Sequence, residues 1–307
     1  MNTEQIDVSV IILNWNTRDL LGQCLRSLYD TMSGLKFEVV VVDNASADGS
    51  VEMVRRAFPQ VRLITNAENL GFARANNRAM AASYGRFMLL FNSDAIATSD
   101  AIQALVSLAE KEPRAGIVGA QLLNPDRSFQ ASHTPFPTLW QELLVLTGLG
   151  RLFRGRWYPS RGPEDNKGPQ VVDYVEGACM LVRRAAFEDV GGMDEGYFMY
   201  AEEVDWCYTM RRQGWQVWYQ PVAQVIHLGS ASSRRRRPQR ETDLYRSRVR
   251  FFRKYYGGSA ARLLKIQICT LTAIKYAVHG VLSLFTGGRC GRPVVPLRRL
   301  MRELGEV

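Results

Sequence analysis

Hydrophobic residues fall into short runs at strand and helix spacing. Val8 to Leu13 is a mostly β-branched run, broken only by Ser9, which predicts a strand buried on both faces. Leu20, Leu21, Cys24, Leu25 and Leu28 then recur at helical spacing, with Thr17 placed to cap that helix. Phe37 to Val42 reads as a second strand, and Asp48-Gly49-Ser50 turns the chain into a short helix that stops before Pro59. Val61 to Ile64 is a third strand, followed by a helix opening at Gly71 and running to about Ser83. Arg86 to Phe91, a helix from Ser99 to about Glu112, and Gly116 to Leu122 continue the alternation. Strand and helix in alternation predict right-handed crossovers and a largely parallel sheet. Ligands of such sheets sit beyond the carboxyl ends of the strands, where this chain carries Asn14, Asp43, Asn66 and Asp94. Turn and cap chemistry accounts for any one of them as well as a site does. The four together point to a site.

The pattern changes over residues 124–170, which are rich in Pro, Gly and Arg and hold an apolar stretch from Leu139 to Leu149. This reads as a long connection with a short helix: part of an acceptor pocket, a membrane-facing lip, or a surface excursion. Val171 to Val182 returns to strand, with Glu176-Gly177 in its middle, and Gly192-Met193-Asp194-Glu195 makes a turn. Ala201 to Gln213 reads as a helix whose first turn carries Glu202, Glu203 and Asp205. The helix dipole favours one such acid, but three in four positions repel one another unless a proton or cation is handled there. Trp215 to Tyr219 is a further strand, and Ile226-His227 leads into Gly229.

Motif absences narrow the chemistry. There is no GxxxxGK[ST], and no GxGxxG follows the first strand, so a P-loop ATPase and a dinucleotide-binding domain lose their main support. Composition adds that the 307 residues, 46% hydrophobic and 22% charged, form an ordinary globular chain. The net charge of +9 is unevenly spread. Residues 230–307 hold 18 Lys+Arg against 4 Asp+Glu, a balance of +14, and the remainder balances at −5. An acidic body argues against wrapping by nucleic acid, while the basic tail calls for an anionic partner. Five scattered cysteines without a CxxC fit a reducing compartment, and the first residues do not read as a signal peptide.

Seven strings, in this order and spacing, resemble the family 2 glycosyltransferases of GT-A fold, most of all their rhamnosyltransferase-like members. They are VSVIILNWN (8–16), VVVVDNASADGS (39–50), NAENLGFARANN (66–77), LLFNSDA (89–95), VEGACMLVRR (175–184), GGMDEGYFMYAEEVDWCYTMRRQGW (191–215) and VIHLGSAS (225–232). The resemblance implies an α/β GT-A domain over residues 1–232, with a basic helical extension over 233–307. It implies that Asp43 binds the nucleotide, with Asn14, Asn44 and Ser93 beside it. Asn66, Asn69, Gly71 and Asn76 resemble the family's loop over the nucleotide. Asn92-Ser93-Asp94 stands where the family has DxD, with Asn replacing the first acid. That leaves Asp94 as the main carboxylate ligand for Mg²⁺ or Mn²⁺, with Asn92 beside it, and His227 resembles the histidine that completes the site. Glu203 matches the family's catalytic base, Glu202 is its rival, and Asp205 shapes the site. Glu176, Gly177, Asp194 and Glu195 are candidates for contacts to acceptor or donor sugar.

The reaction so implied is an inverting, single-displacement transfer from a dTDP- or UDP-sugar to a hydroxyl of a glycan or polyprenyl-linked acceptor, in cell-surface polysaccharide synthesis. Arg234 to Arg237 open the tail, and from Arg262 to Phe285 it becomes apolar but is broken by Lys265, Lys275 and His279. That pattern suits a helix lying in an anionic membrane interface at the inner face of the cytoplasmic membrane, with a spanning helix and a packing helix as alternatives. Two other functions compete. A nucleic-acid-binding protein would use the Arg and aromatic residues of 234–256, but no nucleic acid is expected because that segment lies outside the acidic cluster's domain. A sugar-nucleotide nucleotidylyltransferase would need a Gly- and Arg-rich loop where this chain has Asn14-Trp15-Asn16-Thr17.

Overall fold

Aliphatic runs such as Val10 to Ile12 and Val39 to Val42 are buried on both faces in the middle of a layered sheet. The computed structural model describes residues 5–149, 168–229, 237–285 and 297–305, and such a sheet lies at its centre. The chain divides into two units, one formed by residues 5–136, 168–198 and 202–229, the other by 137–149, 199–201, 237–285 and 297–305. The predicted domain junction at 232/233 lies outside the described residues, as do Arg234 to Arg236.

In the first unit, β1 (Val8–Asn14), α1 (Arg18–Thr31), β2 (Phe37–Asp43), α2 (Ser50–Ala57), β3 (Arg62–Thr65), α3 (Phe72–Ala81) and β4 (Phe87–Asn92) follow the predicted alternation. Next come β5 (Ala95–Ala97), α4 (Ala101–Lys111), β6 (Ala115–Leu123), β7 (His133–Thr134), β8 (Gln170–Val171), β9 (Tyr174–Val175) and β10 (Cys179–Arg183). The unit closes with α6 (Arg184–Val190), α7 (Glu202–Arg212) and β11 (Gln216–His227). The main sheet runs β3-β2-β1-β4-β10-β6-β11-β5, with β8 also on β11. Alternate residues of each central strand feed two cores. Val10, Ile12, Val41, Leu89 and Leu181 join α1, α2 and α4 on one face. Ile11, Val40, Val42, Leu90 and Met180 meet α3 and α7 on the other.

Two strand expectations change. The sheet is mixed rather than largely parallel, because β10 enters antiparallel between β4 and β6, and β5 and β8 run antiparallel to β11. The single strand expected over Val171 to Val182 breaks into β8, β9 and β10, since each piece has a different partner: β11, β7, and the β4–β6 pair. Thr17 does precede α1, but its hydroxyl makes no cap and donates instead to Asn14 Oδ1 at 2.7 Å.

The second unit is helical. It contains α5 (Leu139–Thr147), α8 (Arg237–Phe285) and α9 (Leu297–Gly305). Thr138 and Gln141 form a reciprocal capping box at the start of α5. Glu142 of α5 is buried and pairs with Arg248 of α8 at 2.5 Å. Burial pushes the Glu142 carboxyl upward, and Arg248 opposes that shift. Gly257, at φ 86°, interrupts the helical geometry of α8. No helix of the described residues is long and apolar enough to cross a membrane.

Candidate functional site

Parallel register aligns the carboxyl ends of the central strands. Asn14 of β1 stands opposite Asp43 of β2, Asp43 opposite Thr65 of β3, and Leu13 opposite Asn92 of β4. The polar residues predicted at these ends are thereby brought to one edge. Asn14 Nδ2 donates to Asp43 Oδ2 at 2.8 Å and to Ser46 Oγ at 3.1 Å, while Ser46 N–H donates to Asp43 Oδ1 at 2.8 Å. Thr17 Oγ1 lies 2.8 Å from Ser93 Oγ, which ties the β4 end into the same network. Each carboxylate oxygen of Asp43 accepts one bond here and has capacity for a second.

A second network holds the loop before α3. Asn44 Nδ2 donates to Asn69 Oδ1 and to the Gly71 carbonyl, both at 3.1 Å, and Asn44 Oδ1 accepts from Asn66 Nδ2 at 2.7 Å. Arg78 Nη1 donates to Asn66 Oδ1 at 2.5 Å. Gly71 adopts φ 80°, and a β-carbon there would come within 2.4 Å of the Phe198 carbonyl oxygen. That oxygen accepts from Phe72 N–H at 2.8 Å, so only glycine lets the two backbones meet. Asn76 is set apart from this group, because its amide donates back to the Phe72 carbonyl within α3.

Strand β11 supplies the third component. Pairing of His227 with Ala95 of β5 sets the imidazole beside Asp94, with His227 Nε2 at 3.4 Å from Asp94 Oδ1 and 3.3 Å from Asn92 Nδ2. Among the described residues no three His, Cys, Asp or Glu side chains are arranged to hold a metal. One carboxylate and one imidazole, with an amide alongside, suit a divalent cation that takes its remaining oxygens from phosphate and water. They do not suit a closed four-ligand zinc site.

The acids of α7 separate by environment. Glu202 is 4% exposed and its Oε2 has no hydrogen-bond partner among the described residues. Burial, and next the Glu203 carboxylate, push its carboxyl well above the ordinary glutamate value. Glu203 is half-buried. Asp205 is buried and accepts from the Tyr197 hydroxyl at 3.0 Å, so its visible work is to hold the turn before α7. A β-carbon placed on Gly177 would lie 3.8 Å from Glu203 Cβ and 3.6 Å from Phe72 Cζ, which sets Glu176-Gly177 beside the acidic helix. Asp194 and Glu195 sit in a turn clamped by Asn77, whose amide donates to the Met193 carbonyl at 2.8 Å and to Glu195 Oε1 at 3.2 Å. Glu195 also faces Arg74 at 3.8 Å.

A model of the family described as "Glycosyl transferase family 2" matches residues 9–191. The chain is a family 2 glycosyltransferase. This glycosyltransferase is 34% identical over 212 residues to an N-acetylglucosaminyl-diphospho-decaprenol L-rhamnosyltransferase of Mycobacterium tuberculosis, covering 64% of this chain and 68% of that protein. It is 27% identical over 226 residues to the low-salt glycan biosynthesis hexosyltransferase Agl10 of Haloferax volcanii, covering 72% of this chain and 67% of that one. Its fold is similar to that of the mannosyltransferase PcManGT from Pyrobaculum calidifontis, solved in complex with GDP-Man and Mn²⁺. The TM-score is 0.54 at 20% identity, over 99% of this chain and 87% of that one. The glycosyltransferase thus has the expected GT-A architecture.

Several members of these networks escaped the sequence reading as site residues: Ser46, Thr17 (read only as a helix cap), Arg78, Asn77, Phe198 and Gln130, whose Oε1 lies 2.7 Å from His227 Nδ1. Ser46 lies inside the string 39–50 and Asn77 ends the string 66–77, so a signal existed for both. Gln130 lies in the Pro- and Arg-rich connection and carried none.

Proposed function

We propose that this glycosyltransferase moves a rhamnose-like hexose from a dTDP or UDP donor to a hydroxyl of a polyprenyl-linked or glycan acceptor, with inversion at the anomeric carbon. The observation that carries the reading is the meeting of Asp94 and His227 at the strand ends that also hold Asn14 and Asp43. The rhamnosyltransferase and hexosyltransferase relatives support the sugar class, and the decaprenol in the first one's name supports the acceptor class. Glycan or cell-surface polysaccharide synthesis is the setting in which such a transfer belongs.

Asp43 accepts from the base or ribose of the nucleotide, and the Asn44 hub holds the Asn66–Gly71 loop over it. Asp94 and His227, with Asn92, are the residues that would hold Mg²⁺ or Mn²⁺. When bound, the cation supplies Lewis-acid neutralisation of the leaving diphosphate. Glu203 takes the proton of the acceptor hydroxyl as that oxygen bonds to the anomeric carbon and the bond from that carbon to the diphosphate oxygen breaks. The proton ends on the Glu203 carboxyl, and no sugar–enzyme bond forms. Glu202 is the rival base, and burial raises its carboxyl well above the ordinary glutamate value.

Glu203→Gln is expected to lower kcat about 10²- to 10⁴-fold with donor binding retained, and Glu202→Gln far less. Near-normal turnover of Glu203→Gln, or a product with retained anomeric configuration by NMR, would overturn the assignment.

The second unit adds an anchor in the same proposal. From 244 to 285 the chain holds eight Lys or Arg and no Asp or Glu. Leu263, Ile266, Ile274 and Val278 are exposed on α8 at helical spacing, with exposed Arg262 and Lys275 among them. Such a face suits the anionic inner surface of the cytoplasmic membrane, where a polyprenyl-linked acceptor resides.

A further inference from the structure

His227 has two ring nitrogens, and only a nitrogen without a proton can face a cation. The hydrogen bonds around Gln130 decide which one that is. Strand β6 ends at Leu123, and the chain reverses through a turn in which Arg127 N–H donates to the Asn124 carbonyl at 2.8 Å. The return places Gln130 N–H on the Leu122 carbonyl at 3.0 Å. Gln130 is thereby set against the end of β11, where its amide meets His227 twice. Gln130 Nε2 donates to the His227 carbonyl at 3.2 Å, and Gln130 Oε1 lies 2.7 Å from His227 Nδ1.

The orientation of that amide is fixed by the backbone carbonyls of Phe129 and His227, which can only accept. Asn124 Nδ2 donates to the Phe129 carbonyl at 3.1 Å and to Ser128 Oγ at 2.9 Å, which turns Asn124 Oδ1 toward Gln130. Gln130 Nε2 donates to that Oδ1 at 3.0 Å as well as to the His227 carbonyl. Both of its N–H groups are thus assigned to acceptors, and Gln130 Oε1 is left to accept. Its partner must be a proton on His227 Nδ1. The lone pair of a neutral His227 then lies on Nε2, the nitrogen beside Asp94 Oδ1 and Asn92 Nδ2.

We propose that Gln130 is a positioning residue that fixes His227 as the Nδ1–H tautomer and so presents Nε2 to the divalent cation held with Asp94. The proposal rests on the reading of Asp94 and His227 as the cation's protein ligands. Gln130 acts through His227 and touches neither cation nor donor. Groups that orient a metal-binding histidine in this way typically contribute 10- to 100-fold in metal affinity.

The test uses the full chain, in which three histidines give a sparse imidazole spectrum. Long-range ¹H–¹⁵N correlation, assigned with His227→Asn, reads the tautomer of His227. Free-Mn²⁺ EPR, with UDP and dTDP in separate arms, reads cation binding. Wild type is expected to show a single Nδ1–H tautomer. Gln130→Leu should lose it and bind Mn²⁺ about 10- to 100-fold more weakly. Gln130→Glu keeps an acceptor for Nδ1–H but sets its second oxygen against Asn124 Oδ1 and the His227 carbonyl, so it should retain the tautomer while losing less Mn²⁺ affinity than Gln130→Leu. This rescue separates positioning from a general loss of packing, and it stands even if Gln130→Leu folds poorly. The proposal is overturned if Gln130→Leu keeps the tautomer, if it loses the tautomer with unchanged Mn²⁺ affinity, or if Gln130→Glu loses both. If His227→Asn binds Mn²⁺ like wild type while Gln130→Leu still shifts the tautomer, the ligand reading of His227 fails instead, and the proposal falls with it.

Discussion

Glu202 and Glu203 are neighbours in sequence but differ in burial, and the burial of Glu202 has a consequence of measurable sign. Burial raises the Glu202 carboxyl in the folded state above its unfolded value. Between those two values the unfolded chain binds fewer protons than the folded one, so this group makes stability fall as pH rises. The cost begins above the ordinary glutamate range and is complete only above the raised folded value. Glu202→Gln cannot ionise and lacks that slope. Its melting temperature relative to wild type should therefore climb as pH rises above the ordinary glutamate range. Parallel pH dependences for the two proteins would mean that Glu202 is not desolvated in solution. The same pair shows what a sequence can carry at this scale. Three acids in four positions marked the start of α7 as chemically loaded. Which of them is buried depends on packing that no local pattern records. Asp205 shows this too, since its partner Tyr197 gave no hint of the role beforehand.

At the scale of elements, the aliphatic runs β1, β2 and β4 were legible because strands buried on both faces carry few polar residues, here Ser9 and Glu38 near the strand starts. Strand β10 was legible as a strand, but its direction was not. An antiparallel insertion between β4 and β6 is decided by where the preceding chain returns, which hydrophobic periodicity does not encode. The break into β8, β9 and β10 was hidden for the same reason, because each piece is apolar enough to be strand and only the partners differ. The junction of α3 with the turn before α7 also depends on contact between distant segments. Gly71→Ala adds a β-carbon where the Phe198 carbonyl stands 2.4 Å away, at a backbone geometry that glycine alone adopts readily. We expect about 1–3 kcal/mol of destabilisation from the strained backbone. We also expect weaker binding of UDP and dTDP, because the Asn44–Gly71 bond is displaced with it. Urea unfolding and nucleotide titration check the two parts separately. Wild-type stability and nucleotide affinity in the Gly71→Ala variant would show that the loop yields without consequence.

For the whole molecule, the separation of charge was the plainest feature of the sequence, and what it needed was an address on the surface. The exposed Leu263, Ile266, Ile274 and Val278 of α8, in a segment without acids, are the surface on which the proposed membrane contact rests. Ile266→Asp combined with Ile274→Asp changes only exposed positions, so the fold should be kept. We expect this double variant to lose sedimentation with vesicles containing anionic phospholipid, and the wild-type interaction to weaken as salt is raised. Binding that ignores both the substitutions and the lipid charge would rule this face out. The site itself has a different long-range character. Asp94 and His227 are far apart in sequence and meet only when the last strand of the sheet pairs with β5. A chain emerging from the ribosome can fold its first strands and helices while the pair is still incomplete. If Asp94 and His227 hold the cation as proposed, donor and cation select finished molecules. By mass action, they withdraw from the unfolding equilibrium only those chains in which β11 has already docked.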